Sequence, residues 1–206
     1  MTISTEVILP PYPGIQPHNV LLVQSQADMN QAFAALMAAD VLGFDTESKP
    51  TFSKGQDSGG PHLIQLATDT RAYLFPTLRL TSLDAVKTVL ESAAILKVGF
   101  GLSEDTRRLQ GKLGIQVENV LDLSKAMREV KRNDMGAKAA VAKYFGMKLQ
   151  KSKKTSTSNW AAAELSERQI KYAADDAQVA LLVYRTWLAI QRRGDQAAVS
   201  DAATAQ

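Results

Sequence analysis

The chain has 206 residues, a length that favours one domain able to bury a core without a stabilising metal or disulfide. It contains no cysteine and only two histidines, which excludes disulfides, zinc–thiolate sites, iron–sulfur clusters and a cysteine nucleophile. Any metal site would therefore use oxygen ligands, which suit Mg²⁺, Mn²⁺ or Ca²⁺. No apolar run approaches the ~20 residues that span a bilayer, and no secretion signal is visible, so we expect a cytoplasmic protein without a membrane partner.

The net charge of +3 is distributed unevenly along the chain. Residues 97–154 carry 14 Lys/Arg and 6 Asp/Glu, net +8, whereas residues 1–96 carry 5 and 9, net −4, and residues 155–206 carry 5 and 6, net −1. A basic block indicates an anionic partner such as nucleic acid. Basic residues that merely solubilise amphipathic helices would produce the same pattern.

Proline content and hydrophobic periodicity divide the chain. We predict an irregular N-terminal arm over 1–18, one domain over 19–193 and a disordered tail over 194–206. In chain order, the first half of the domain is predicted to contain a strand at 20–23, a helix at 28–38, a strand at 41–47, a hairpin of 62–68 with 71–75 and a helix at 82–92. The second half is predicted to contain a strand at 95–100, a helix at 103–113, a strand at 120–123 and helices at 124–129 and 135–145. A basic Ser/Thr-rich loop at 148–159 and a helix at 166–192 complete it. Asp28 and Ser103 are predicted to cap helices. This order indicates an α/β fold with a mixed β-sheet flanked by helices.

Two carboxylates end the predicted strand 41–47. Because side chains alternate along a strand, Asp45 and Glu47 share one face. Two adjacent acids beside a buried strand repel each other unless a cation lies between them. The alternative is that the strand ends there and both acids are solvated.

Another acid interrupts the apolar stripe of the predicted helix 103–113. Helical spacing places Asp105 on one face with Leu102 and Leu109, while Glu104 lies on the outer face. An acid in the first turn also stabilises a helix N-terminus, so capping is an equal explanation of Asp105.

The long helix 166–192 carries the fourth acid. Helical spacing places Asp175 on the polar face and Asp176 among apolar residues. Tyr172 precedes Asp176 by one turn on the same side, although a tyrosine at the edge of a core is common. Taken jointly, four inward carboxylates are explained better by an oxygen-ligand metal site than by four separate accidents.

Three segments resemble the exonuclease motifs of the DEDD 3′–5′ exonucleases, which share a ribonuclease H-like fold. They are FDTE at 44–47, KVGFGLSED at 97–105 and YAADD at 172–176. The segment Ser158-Asn159-Trp160 before the last motif is similar to Werner-type exonuclease domains and to the catalytic domain of ribonuclease D. Many relatives have Asn shortly before the second acid, where this chain has Gly99-Phe100-Gly101.

The resemblance implies a two-metal 3′–5′ exonuclease that releases nucleoside 5′-monophosphates from the 3′ end of DNA or RNA with two Mg²⁺ or Mn²⁺ ions. Asp45 would bridge both metals, Glu47 and Asp176 would hold the metal that activates water, and Asp105 would help to hold the second. Tyr172 would orient the attacking water, because the histidine of the other subtype is replaced here by Lys171.

Nucleic-acid contacts are predicted in two loops. In the loop 148–159 we expect backbone phosphates to be bound by Lys148, Lys151, Lys153 and Lys154. Phe52, in a glycine-containing loop after the first motif, would stack on a terminal base. A solvated basic loop is the alternative for the lysines. The competing function is a catalytically silent nucleic-acid-binding module of the same fold, and a third is an endonuclease.

Overall fold

The structure is a computed structural model that describes residues 8–51, 53, 56–131 and 133–204, with side chains described as far as Arg193. Within these residues, six strands form one sheet in the order β1-β4-β3-β2-β5-β6. The strands are β1 (Val20–Leu22), β2 (Val41–Glu47), β3 (Leu63–Ala67), β4 (Ala72–Pro76), β5 (Leu96–Gly99) and β6 (Val120–Asp122). β2, β3 and β4 are antiparallel neighbours, whereas β1 is parallel to β4, and β5 is parallel to β2 and β6. The mixed sheet and the hairpin confirm the predicted α/β class.

Helices cover both faces of the sheet. They are α1 (Gln26–Met37), α2 (Asp84–Leu90), α3 (Ser103–Leu113), α4 (Leu123–Ala126), α5 (Ala137–Phe145), α6 (Lys153–Ser156) and α7 (Glu167–Thr204). One apolar core lies between the sheet and α1, α2 and α3, because alternate strand residues such as Phe44 and Leu66 point to that side. The opposite face of the sheet packs against α7, which contacts β2, β3, β4 and β5. No helix in the described residues is both long and apolar enough to cross a membrane.

Gly43 allows α7 to approach β2 at backbone distance. A Cβ atom at Gly43 would lie 1.9 Å from the carbonyl oxygen of Ala177. Any larger residue would separate the helix from the strand. This close approach brings Asp45 and Glu47 of β2 next to Asp176 of α7.

Three predicted helix features are wrong. α1 begins earlier than predicted, with Ser25 as its N-cap, and Asp28 completes a capping box by accepting the Ser25 backbone N–H at 2.9 Å. Ser103 is the first residue of α3 rather than its cap. The loop 148–159 contains the short helix α6, whose N-cap Ser152 accepts the backbone N–H of Thr155.

The two ends of the chain also differ in detail from expectation. Over its described residues the arm contains a 3-10 turn at Pro17–Asn19 and an isolated β-bridge between Pro11 and Lys148, and it packs against the domain. α7 does not end near Gly194, because its backbone is helical through Thr204. One glycine costs a helix only about 1 kcal/mol, and the following alanines favour helix. Disorder of residues 194–206 in solution stays a prediction.

Candidate active site

The site lies where β2 ends against the N-terminal third of α7. Asp45 and Glu47 point to the α7 side of the sheet, and Asp176 is buried on α7 with 6% of its surface exposed. One carboxylate oxygen from each of these three residues lies within 4.8 Å of the others. The structure thus brings together three of the four acids that the sequence singled out.

Crowding of these carboxylates disfavours their ionisation. Burial raises the pKa of Asp45 well above its usual range, and the charges of Asp105 and Asp176 raise it further. Burial and the neighbouring Asp45 raise the pKa of Glu47 to about 9. Burial also raises the pKa of Asp176 to about 6, although Lys151 opposes that shift. A cation between the three acids would relieve this repulsion.

Asp105 lies beside the cluster rather than inside it. Its carboxylate accepts the hydroxyl of Thr46, which points to the opposite side of β2 from Asp45. Burial raises the pKa of Asp105, and its charge in turn acts on Asp45. The hydrogen bond to Thr46 joins Asp105 to a strand outside its own helix. An acid that only capped the helix N-terminus would not need such a partner.

Lys151 lies at the acidic cluster. Its Nζ is 2.9 Å from Oδ2 of Asp176 and 5.6 Å from the centre of the Tyr172 ring. Burial disfavours the charge of Lys151, but the carboxylates of Asp176, Asp45 and Glu47 outweigh that effect and raise its pKa. Lys151 is therefore a counter-charge within the site, not an exposed member of a basic loop.

Tyr172 borders the site on α7, one turn before Asp176. Its ring packs against the ring of Trp160 at 6.1 Å, and its hydroxyl interacts with Asp176 and Ser156. Burial, together with the negative charges of Asp176, Glu47 and Asp45, raises the pKa of Tyr172. The hydroxyl consequently keeps its proton at neutral pH.

Four other residues were predicted to contact nucleic acid, and the structure describes three of them. Lys148, Lys153 and Lys154 are exposed on the segment around α6, as a phosphate-binding role requires. Phe52 lies outside the described residues. Nucleic-acid binding by any of these residues stays a prediction.

Asp175 is not the solvated acid that its helical position predicted. It is half-buried beneath the N-terminal arm, where it accepts the Ile15 backbone N–H at 2.8 Å and pairs with Lys171 at 2.9 Å. Burial raises the pKa of Asp175 despite these partners. Helical periodicity missed this contact because the arm is distant in sequence and has no periodicity of its own.

Gln65 is a residue at the site that the periodicity argument did not identify. It is fully buried on β3 directly opposite Asp45, and neither polar atom of its amide has a hydrogen-bond partner among the described residues. A buried polar group without a partner commonly marks a position occupied by water or a ligand. One sequence signal was available, because Gln65 is the single polar residue of the strand Leu63–Ala67.

Comparisons with known proteins agree with this geometry. The family model described as 3′–5′ exonuclease matches residues 20–188. The chain is 28% identical over 153 residues to the mouse (Mus musculus) bifunctional 3′–5′ exonuclease/ATP-dependent helicase WRN, covering 73% of this chain but 11% of that protein. It thus spans only a small part of that relative.

Solved structures of other proteins share the fold. The Nibbler EXO domain of Aedes aegypti superposes with a TM-score of 0.71 at 27% identity, covering 84% of this chain and 88% of that one. RNase D of Escherichia coli, an exoribonuclease involved in structured RNA processing, superposes with a TM-score of 0.72 at 25% identity, covering 85% and 46%. Because the family model covers most of the chain and includes every residue of the acidic cluster, the chain belongs to the 3′–5′ exonuclease family.

Proposed function

We propose that this chain removes nucleotides from the 3′ end of DNA or RNA by metal-dependent hydrolysis, releasing nucleoside 5′-monophosphates. The observation that carries the proposal is the cluster of Asp45, Glu47 and Asp176 beside the Tyr172 hydroxyl. Burying three carboxylates so close together is costly, and Lys151 offsets only part of that cost, so a bound cation would stabilise the arrangement further. Family membership supports the reaction class.

The donor set fits divalent cations that prefer oxygen ligands. All the ligands at hand are carboxylates, and burial followed by mutual repulsion raises the pKa of Asp45 and of Glu47, so a cation would favour their charged forms. The three acids of the cluster would hold one ion, and Asp105 with Asp45 would hold a second, partly through water. Bound Mg²⁺ or Mn²⁺ would lower the pKa of the attacking water and stabilise charge on the leaving oxygen.

The chain's own residues then position the reactants. The protonated Tyr172 hydroxyl orients the attacking water toward the phosphorus of the terminal phosphodiester. The bond from phosphorus to the 3′ oxygen of the preceding nucleotide breaks, that oxygen takes a proton, and the terminal nucleotide leaves with its 5′-phosphate. Without cations the acids repel the phosphate, so activity should depend strictly on a divalent metal.

The nature of the strand is part of the proposal. One relative is an exonuclease joined to a helicase and one structural neighbour is an exoribonuclease, so both DNA and RNA are reasonable substrates. Lys148, Lys153 and Lys154 are exposed near the site and would contact the backbone without reading sequence.

The test uses oligonucleotides labelled at the 5′ end, with Mg²⁺, Mn²⁺ or EDTA. We expect stepwise shortening from the 3′ end only with metal, and nucleoside 5′-monophosphates as products by mass spectrometry. Asp45→Asn should reduce the rate to background while the circular dichroism spectrum remains that of the parent.

Other outcomes identify the competing functions. Binding of the oligonucleotide without degradation in either metal would indicate a silent binding module. Cleavage of a circular strand would indicate an endonuclease. Full activity in Asp45→Asn would show that the acidic cluster is not the catalytic centre.

A further inference from the structure

A basic groove opens beside the acidic cluster. Its volume is about 710 Å³, and its walls come from three segments: the chain after β2, the exposed face of α3 and the end of α6. Four of its described lining residues are cations, namely Lys49, Arg107, Arg108 and Lys112, against one acid, Asp57. None of these cations is among the residues singled out above for nucleic-acid binding.

Each wall of the groove belongs to a segment that also carries a residue of the site. Ser48 directly follows Glu47 at the end of β2. Arg108 lies one turn after Asp105 on α3, and its charge acts on the Asp105 carboxylate. At the end of α6, the carbonyl of Ser156 accepts the indole N–H of Trp160 at 3.1 Å, and the Trp160 ring packs against the Tyr172 ring. A strand whose terminal phosphodiester lies at the acids can therefore continue into the groove.

The cations of the groove are available to an incoming polyanion. The side chain of Arg107 is 71% exposed, and its ion pair with Glu104 is exposed as well. Lys112 pairs with Asp57 at the surface. Exposed ion pairs contribute only about 0–1 kcal/mol each, so phosphates can replace these partners at little cost. The groove also supplies the positive charge that a substrate needs to approach an acidic centre.

We propose that this groove binds the backbone of a single-stranded nucleic acid on the 5′ side of the nucleotide being removed, with Arg107 and Arg108 contacting its phosphates. The inference rests on the proposed exonuclease function for the direction of the strand. Phosphate contacts do not distinguish sugars, so DNA and RNA strands should both bind.

The test measures equilibrium binding of fluorescein-labelled dT12 and U12 by anisotropy in Ca²⁺, with gels to confirm that the strands stay intact. The variant is Arg107→Gln/Arg108→Gln. A matched control on α5, Lys138→Gln/Lys143→Gln, removes the same charge from exposed positions outside the groove and includes one exposed ion pair.

For the arginine variant we expect Kd to rise about tenfold at 100 mM KCl. The slope of log Kd against log salt should become shallower by about 1.4, since each phosphate contact on a single strand contributes ~0.7. The α5 control should keep the parent Kd and slope. The groove proposal would be overturned if the arginine variant kept the Kd and the salt slope of the parent protein. It would also be overturned if binding weakened equally in the arginine variant and in the α5 control.

Failure of the exonuclease function would look different. If the parent protein binds dT12 through the arginines but does not shorten it in Mg²⁺ or Mn²⁺, the groove stands and the proposed activity falls. If the parent shortens the strand but the arginine variant binds as tightly as the parent, the activity stands and the groove falls.

Discussion

Individual side chains at the site are held in states that they would not adopt in water. Asp45, Glu47 and Asp176 have raised pKa values because they are buried together, and Lys151 compensates only part of their charge. Burial and the same negative charges raise the pKa of Tyr172 further above neutral pH. Protons, metal cations and the Lys151 ammonium group therefore compete to neutralise the same three carboxylates.

Proton binding to these acids should make the metal-free protein less stable as pH rises. An acid whose pKa is higher in the folded state than in the unfolded state binds more protons when folded. Its contribution to the free energy of unfolding is therefore present at low pH and is lost as pH rises through the folded pKa. For Asp176, whose folded pKa is about 6, the loss between pH 4 and pH 8 should be at least about 2 kcal/mol. Urea unfolding in EDTA across this range measures it, and Asp45→Asn/Glu47→Gln should flatten the dependence. Stability that rises with pH would contradict the assignment.

Divalent metal should reverse this trend. Because the ligands must lose their protons to bind a cation, Mn²⁺ should raise the melting temperature more at pH 8 than at pH 5.5. The double variant Asp45→Asn/Glu47→Gln should show a much smaller increase at both values. Equal stabilisation of parent and variant would place the metal elsewhere.

The Tyr172 hydroxyl should matter for turnover and not for metal binding. Tyr172→Phe keeps the ring that packs against Trp160 but removes the group that orients water. We expect kcat to fall about 100-fold, a typical cost of losing alignment of a reactant. Metal affinity from calorimetry should stay at the parent value. A loss of metal affinity equal to the loss in kcat would mean that Tyr172 supports the acids instead.

Packing between elements decides whether these side chains meet at all. β2 presents Asp45 and Glu47, α7 presents Asp176, and Gly43 lets the strand and the helix come close enough for one cation to contact all three. The register of β2 against β3 also places Gln65 beside Asp45.

Gly43→Ala should destabilise the protein by about 2–3 kcal/mol, because the added methyl group overlaps the carbonyl of Ala177. Gly111→Ala is the matched control. No atom lies within 4 Å of a Cβ at Gly111 on α3, so this change should stabilise the helix by about 0.5–1 kcal/mol. Urea unfolding of the two variants measures both effects, and equal changes would refute the close approach of β2 and α7.

At the scale of the whole molecule, the N-terminal arm joins distant parts of the domain. Tyr12 donates its backbone N–H to the carbonyl of Lys148 at 2.9 Å, and its ring stacks on Phe145 at 6.0 Å. Ile15 is 5% exposed and joins the core that contains Trp160. The arm thereby braces α7 and the segment that carries Lys151.

Removing residues 1–16 should lower the stability by about 3 kcal/mol, through lost burial of Ile15 and the lost hydrogen bond to Asp175. For a chain of this size that corresponds to a fall in melting temperature of about 6–12 °C. Removing residues 194–206, the tail predicted to be disordered, should change it by less than about 2 °C. If the two truncations have equal effects, the arm does not brace the domain as described.

Local patterns in the sequence predicted much of the fold and most of the acidic cluster. The bounds of β2 and α3 follow from alternation and helical spacing, and helical spacing separated Asp105 from the surface acid Glu104 and placed Asp176 toward the core. The motif order identified the family, which the comparisons confirm. The predicted cytoplasmic location and the stated contacts with nucleic acid stay predictions.

The sequence by itself indicated the core-facing sides of β2, α3 and α7, because periodicity reports the environment along one element. Only the tertiary structure decided which of those faces meet. It placed Lys151 on Asp176, the arm over Asp175 and the α3 arginines in one groove with the chain after β2. These contacts join segments far apart in the chain, and their partners are set by how the elements pack, which no local spacing records.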